Sequence, residues 1–469
     1  MCGITGIFSL DKNIFDELFE SLYHLQHRGQ DSYGIAVIKD IEKSKKIDIP
    51  KNRIEIVKNK GLLLNREITP VKGNIGIGHV RYPTNGQNTI EEAQPFIKKG
   101  FYHNIILVHN GQVWKTKNLI DYFRKNRIFH NTKTDSHLIL NLLSFELNKY
   151  KKLDNSIICE IIRHIMVVME GSFSCICIIQ NYGLIVFKDI KGIRPLILGI
   201  KNKRYLISSE SVSLTSLDYK IIKDVYNDIL IFKKNELGYC CYRNDLKYFS
   251  PCIFEWIYLA REESVICNVP VYLARMKMGE SLANKIKNEI DISNIDYIIP
   301  VPETSKPATL SISKILGIPY VEAIVKNRYI NRTFIMDTQN KRKKNIKRKL
   351  NVVKNLIENM NIIIVDDSIV RGNTIKHIIQ LLKKNGVKKI YVVSCSPKIL
   401  FENRYGIDIP HREELISYNK TIKEMENYYG VEKILFHDLE KIISSIREFN
   451  PKIKNFETSI FIGETPKFP

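Results

Sequence analysis

Ile362-Ile363-Ile364-Val365-Asp366-Asp367-Ser368-Ile369-Val370-Arg371-Gly372-Asn373-Thr374 is the stretch on which the reading of this chain turns. An unbroken apolar run of four, ended by two acids, reads as a strand buried on both faces. The serine, arginine and glycine that follow read as a turn, and residues 374–384 then carry apolar side chains at helical spacing. A turn that enters a helix offers free N–H groups to a phosphate, and Gly372 lets the backbone come close to it. The adjacent acids suit ribose hydroxyls, which donate to carboxylates.

Working outward, residues 295–301 read as a strand, 308–316 as a helix, 320–325 as a strand, 361–366 as a strand, 374–384 as a helix and 389–394 as a strand. That alternation predicts a mainly parallel sheet with helices on its faces. Residues 326–349, rich in Lys and Arg and poor in apolar anchors, read as a basic surface loop that would close over a polyanion. The first half reads differently. Phe15, Leu18, Phe19, Leu22 and Leu25 mark an amphipathic helix, and short β-branched runs at 34–38, 74–80, 105–109, 174–179, 184–188 and 205–208 mark strands. Helices follow Asp135 and Asn155. Many strands with few helices predict a layered α+β domain, so the chain is divided into residues 2–248 and 249–469.

A length of 469 residues fits two domains, and 44% hydrophobic with 26% charged residues is the composition of a globular protein. No apolar run reaches the roughly 18 residues of a membrane helix. The start Met-Cys-Gly-Ile-Thr-Gly-Ile-Phe lacks a signal-peptide pattern, so a cytoplasmic location and no membrane association are expected. Nine cysteines, scattered without a CxxC or zinc spacing, read as reduced thiols. The net charge of +22 would suit nucleic acid, yet Lys, Ile and Asn are spread along the whole chain rather than gathered in a patch; no nucleic-acid partner is expected.

Cys2 can serve as a nucleophile if Met1 is removed. Its own α-amine, with a pKa of ~7.7 to 8.0, can take the proton of a thiol near ~8.5, and no histidine is needed. A lone cysteine is weak evidence. Here it is accompanied by His27-Arg28-Gly29-Gln30-Asp31, Gly78-His79-Val80-Arg81-Tyr82-Pro83-Thr84, His109-Asn110-Gly111 and Thr134-Asp135-Ser136-His137.

In order and spacing these segments resemble the N-terminal-nucleophile glutaminase domain of class II amidotransferases. The resemblance implies a layered αββα fold, glutamine as substrate, Cys2 as nucleophile, and an oxyanion hole from the Asn110 amide and the Gly111 N–H. It gives the glutamine α-carboxylate to Arg81 and the α-ammonium to Asp135, roles that suit a guanidinium fork and an acid. The stretch around Asp366 resembles the phosphoribosyl pyrophosphate (PRPP) motif of type I phosphoribosyltransferases, an α/β fold. Both motifs in this order resemble the amidophosphoribosyltransferase family, as do residues 252–258, 302–305, 326–335 and 405–408.

That family resemblance implies ammonia transfer to C1 of PRPP, giving phosphoribosylamine, the first committed step of purine synthesis. By it Thr304, Asp366 and Asp367 lie around the Mg2+ that travels with PRPP, Lys326 and Arg328 face the pyrophosphate, and Arg332, Ser368, Arg371, Gly372, Asn373 and Thr374 complete the PRPP site. It also implies a homotetramer with purine nucleotides as feedback inhibitors. One branch carries an iron–sulfur cluster on four cysteines; here only Cys252 stands at such a position, so no iron–sulfur cluster and no propeptide are expected. Asn331 and Asn373 stand where the family usually has glycine and threonine. A sugar-phosphate aminotransferase would share the first half only, and a regulatory nucleotide- or RNA-binding protein would keep the PRPP fold without turnover.

Overall fold

The computed structural model describes residues 2–10, 13–40, 52–63, 70–82, 89–132, 134–234, 236–327, 350–409 and 411–463. The chain forms two compact units: Met1–Cys252 with Arg404–Asp408, and Ile253–Asn403 with Ile409–Pro466. Among the described residues the first unit also takes Arg404–Asp408 from the C-terminal half.

The described strands of the first unit are β1 (Gly3–Phe8), β2 (Ser32–Asp40), β3 (Asn52–Lys60), β4 (Ile75–Arg81), β5 (Phe96–Lys98), β6 (Ile105–Val113), β7 (Gly171–Ile179), β8 (Gly183–Lys188), β9 (Ile197–Lys201), β10 (Arg204–Ser208), β11 (Lys220–Asp224), β12 (Ile229–Lys233) and β13 (Cys240–Tyr242). They make two antiparallel sheets, ordered β11-β9-β10-β1-β4-β2-β3 and β13-β12-β8-β7-β6-β5. Ile4, Phe8, Ile77, Ile106, Val108, Ile176 and Val186 fill the space between the sheets. Helix Phe15–His24 covers the outer face of the first sheet with Phe15, Leu18 and Leu22. Helices Ser136–Leu147 and Asn155–Val168 cover the second sheet with Leu138, Leu142, Ile158 and Ile162. This is the layered αββα arrangement. Central strands are buried on both faces and therefore read as apolar runs rather than alternating patterns.

In the second unit the strands are β14 (Val265–Ile266), β15 (Val269–Pro270), β16 (Tyr297–Pro300), β17 (Ile324–Lys326), β18 (Leu350–Val352), β19 (Asn361–Asp366), β20 (Lys389–Ser394) and β21 (Lys433–Phe436). The main sheet is β16-β19-β20-β21, and its pairings are parallel. Helices Val271–Glu289, Lys306–Leu316, Asn373–Lys384 and Leu439–Arg447 connect or flank these strands. Ile362 to Val365 are fully buried, each side chain contributing about 1.5–3 kcal/mol by leaving water.

One expected strand, 320–325, is corrected. Tyr320 makes only an isolated parallel bridge to Ile298, and the chain then leaves the sheet, so that β17 pairs antiparallel with β18.

Candidate functional site

Cys2 stands at the mouth of the first sheet because β1 begins at the next residue and runs between β10 and β4. Its backbone nitrogen donates to Asn110 Oδ1 at 3.3 Å, and its thiol lies 3.7 Å from the Tyr82 carbonyl. Asn110 is carried on β6 and is 1% exposed. With Oδ1 turned to Cys2, the Asn110 Nδ2 is a buried donor without a partner among the described residues. The next residue, Gly111, has φ +148°, and a Cβ there would overlap the Ser172 carbonyl. A side chain at 111 would therefore displace β6 from β7.

The surrounding groups are tightly tied. Arg81 ends β4, is 6% exposed, and donates from Nη2 to Glu92 Oε2 at 2.8 Å. Asp135 precedes helix Ser136–Leu147; its Oδ1 accepts from Ser136 N at 2.9 Å and its Oδ2 from Val113 N at 2.8 Å. Gln94 clamps the backbone just before Asn110. Its Oε1 accepts from His109 N at 2.6 Å and its Nε2 donates to His109 O and Ser136 Oγ, both at 3.1 Å. Burial, with Arg81 and His109 nearby, pushes the His79 pKa well down, so its ring is neutral. The stretch His27-Arg28 binds buried Glu210: Arg28 Nε donates to Glu210 Oε1, and His27 Nε2 lies 2.6 Å from the same oxygen. Arg404–Asp408 packs on this unit too. The Tyr405 carbonyl accepts from Ser172 Oγ at 2.8 Å and Arg194 Nε at 2.9 Å, and Asp408 Oδ2 accepts from Tyr82 Oη at 3.1 Å.

In the second unit, Asp366 closes β19 and is buried, and Asp367 begins the turn. Burial and the neighbouring Asp367 push the Asp366 pKa well above the usual carboxylate range, a pairing that a cation would relieve. Thr304 lies in the loop after β16, the strand beside β19, and the two strand ends are joined by Val301 N donating to Val365 O at 2.8 Å. Adjacent parallel strands thus bring both loops to the same carboxyl edge, where α/β sheets bind ligands. Ser368 Oγ donates to Asp367 Oδ1 at 2.7 Å. Arg371 Nε donates to Glu414 Oε2 at 2.8 Å. Gly372 has φ +74° and is the N-cap of helix Asn373–Lys384, so the N-cap position supplies no side chain to the N–H groups at Asn373 and Thr374. Lys326 is exposed at the end of β17. Arg328 and Arg332, with residues 328–349 of the expected closing loop, lie outside the described residues. Asn331 is among them.

The structure therefore joins Cys2 to Asn110 directly, and the loop that carries Thr304 and the Asp366 turn leave neighbouring parallel strands at the same edge of the sheet. Glu92, Gln94 and Glu210, which support these residues, were not found from sequence. Glu92 and Gln94 sit only 11 and 15 residues from their partners Arg81 and His109, but in an irregular stretch with no periodicity to mark them. Among the described residues no three His, Cys, Asp or Glu side chains converge as a metal cage, and no helix is long and apolar enough to cross a membrane.

Two family models match the chain: a glutamine amidotransferase domain over residues 79–216 and a phosphoribosyl transferase domain over residues 273–400. The amidophosphoribosyltransferase of Haemophilus influenzae is 39% identical, with 99% of this chain and 92% of the relative covered. That of Escherichia coli is 38% identical over the same shares. Among solved structures, the glutamine PRPP amidotransferase of Bacillus subtilis complexed with ADP and GMP superposes with a TM-score of 0.83 at 26% identity, covering 99% of this chain and 97% of that one. Matched over nearly its whole length at this identity, the chain belongs to the amidophosphoribosyltransferase family.

Proposed function

We infer that the protein hydrolyses glutamine in its first unit and transfers the ammonia to C1 of PRPP in its second, giving 5-phosphoribosylamine, pyrophosphate and glutamate. The observation that carries the first half is the buried Asn110 Nδ2, a donor without a partner among the described residues, on the same amide whose oxygen accepts from the Cys2 nitrogen. Such a group is costly unless something fills its place, and the oxygen of a tetrahedral intermediate would do so. Cys2 Sγ attacks the amide carbon, Asn110 Nδ2 and the Gly111 N–H stabilise the oxyanion, and the Cys2 amine moves the proton to departing ammonia. Water then hydrolyses the thioester. Arg81 takes the α-carboxylate and Asp135 the α-ammonium. Glu92 fixes the Arg81 fork from one side.

For the second half, Asn373 and Thr374 N–H groups at the helix mouth, with Ser368 and Gly372, hold the sugar phosphate. Asp366 and Asp367 accept from the ribose hydroxyls. The carboxylates and the Thr304 hydroxyl are hard oxygen donors, which suit Mg2+ arriving with PRPP; the ion would supply neutralisation of the pyrophosphate charge. Lys326, Arg328, Arg332 and Arg371 supply further positive charge. The same reading extends to a cytoplasmic homotetramer regulated by purine nucleotides, for which the support is the family and the ADP and GMP bound to the Bacillus subtilis relative.

The test is glutamine-dependent release of pyrophosphate from Mg-PRPP, read together with intact mass. Activity with Met1 retained on every chain would sink the Cys2 amine as base, and glutamine hydrolysis without pyrophosphate release would sink the transfer half.

A further inference from the structure

Behind the phosphate loop stands a side chain with no part in the mechanism above. Tyr429 ends helix Ile422–Tyr429, is 6% exposed, and packs in the core of the second unit with Ile375, Ile378 and Met425. Its hydroxyl donates to the Gly372 carbonyl at 3.2 Å. The same carbonyl accepts the first helical bond, from Lys376 N at 3.0 Å, and Ile416 N donates to the Val370 carbonyl at 3.1 Å. Two donors therefore fix one carbonyl at the head of helix Asn373–Lys384. A peptide unit is planar and trans, so the Gly372 carbonyl and the Asn373 N–H point in opposite directions. Fixing the carbonyl inward aims the N–H out of the helix mouth. A residue-372 Cβ would overlap the Tyr429 hydroxyl, whereas the next nearest atom, Tyr429 Cζ, would stand at 3.3 Å.

We propose that Tyr429 is a positioning residue for the phosphate of PRPP: through Gly372 it holds the peptide whose N–H meets that phosphate, without itself touching substrate. The proposal rests on the phosphate-loop reading above. Burial raises the Tyr429 pKa, which keeps the hydroxyl protonated as a donor at every working pH. With Asn373 at the first helical position, the backbone N–H is the group whose aim decides phosphate affinity.

The test uses the full-length protein and two probes that each occupy part of the site, ribose 5-phosphate and magnesium pyrophosphate, titrated separately by calorimetry. Tyr429→Phe keeps the ring and removes only the hydroxyl. Its affinity for ribose 5-phosphate should fall about fivefold, the loss of one neutral hydrogen bond, with pyrophosphate affinity unchanged. The KM for PRPP in ammonia-dependent synthesis should rise by the same factor while kcat holds. Gly372→Ala should bind ribose 5-phosphate poorly, and adding Tyr429→Phe should recover part of that loss by removing the overlap, the positive φ leaving the remainder. Unchanged ribose 5-phosphate affinity in Tyr429→Phe, a parallel loss for both probes, or no recovery in the double variant would overturn the proposal. Wild-type protein that binds neither probe would instead overturn the phosphate-loop reading.

Discussion

In the first unit the reactive groups are fixed by side chains that other side chains hold: Asn110 Oδ1 on the Cys2 nitrogen, Arg81 on Glu92, and the His109 backbone between the arms of Gln94. In the second unit the work falls to backbone, with Gly372 as an empty cap, peptide N–H groups at a helix mouth, and two acids left beside each other. The difference follows from the chemistry each side performs. Covalent attack needs the sulfur, the amide carbon and the oxyanion donors aligned within fractions of an ångström. A phosphate and its cation are held by charge, which falls off slowly with distance and tolerates angle. Substitutions in the first unit should therefore act as near-complete losses, and those in the second as graded ones.

The largest expected effect is that of Cys2→Ala. Glutamine-dependent phosphoribosylamine formation should fall to background, while synthesis from high ammonia remains, because the thiol serves only the first half-reaction. Both activities are measured by pyrophosphate release from the same folded preparation. If ammonia-dependent synthesis fell equally, the two regions would not divide the reaction as described.

Asn110→Ala comes next. Removing one oxyanion donor should lower the turnover of glutamine about 10²- to 10³-fold with little change in KM, since the donor acts in the transition state. Asn110→Asp retains an oxygen facing the Cys2 nitrogen but no donor, and should be equally slow. Steady-state glutaminase kinetics in the presence of Mg-PRPP decide it; an active aspartate variant would move the oxyanion hole elsewhere.

Stability separates the regions as well. Arg28 and Glu210 are both fully buried, so Glu210→Ala removes the carboxylate that the Arg28 guanidinium donates to and should cost about 3–5 kcal/mol. Arg371 and Glu414 are the counterpart in the second unit, with side chains 40% and 54% exposed, and Glu414→Ala should cost under about 1 kcal/mol. Thermal unfolding of the two variants measures the contrast. Equal shifts would show that the buried pair contributes no more than a solvated one.

How far the sequence discloses this depends on the range of the contacts. The turn from Asp366 to Thr374 was legible because everything that defines it is local: an apolar run, two acids, a glycine and a periodic helix. Cys2, Asn110 and Asp135 were legible as a spaced set, through resemblance. Glu210 was not, because it meets Arg28 across 182 residues and leaves no local pattern. Tyr429 was hidden the same way, at 57 residues from Gly372. β3, with Arg53, Glu55 and Lys58 among its residues, escaped as a strand because it lies at the sheet edge, where charge is tolerated. The run 320–325 had strand composition, but composition does not show that the chain leaves the sheet after Tyr320.

The most gradual effect concerns pH, and it comes from a buried imidazole in the second unit. His437 is 3% exposed; its Nε2 lies 2.9 Å from both Ser281 Oγ and the Met278 carbonyl, and its Nδ1 accepts from Asp438 N at 2.7 Å. Burial brings its pKa down to about 4, against the opposing pull of the Met278 carbonyl and Asp438. In the unfolded chain the same ring titrates near ~6.5. Above that pH both states are neutral and the group adds no slope. As pH falls below it, the unfolded chain takes up the proton first, so stability is lost down to about pH 4, by about 3 kcal/mol in total. His79 and His109 in the first unit, also pushed down by burial, add slope of the same sign. His437→Gln removes one titrating group and keeps a polar side chain. Denaturant unfolding at pH 7, 6 and 5 should therefore show the variant less stable than wild type at pH 7, with the gap narrowing as the pH falls. A gap that stays constant across the three values would mean that His437 takes up its proton at the same pH in the folded and unfolded chains and that its burial has no bearing on the acid sensitivity of the second unit.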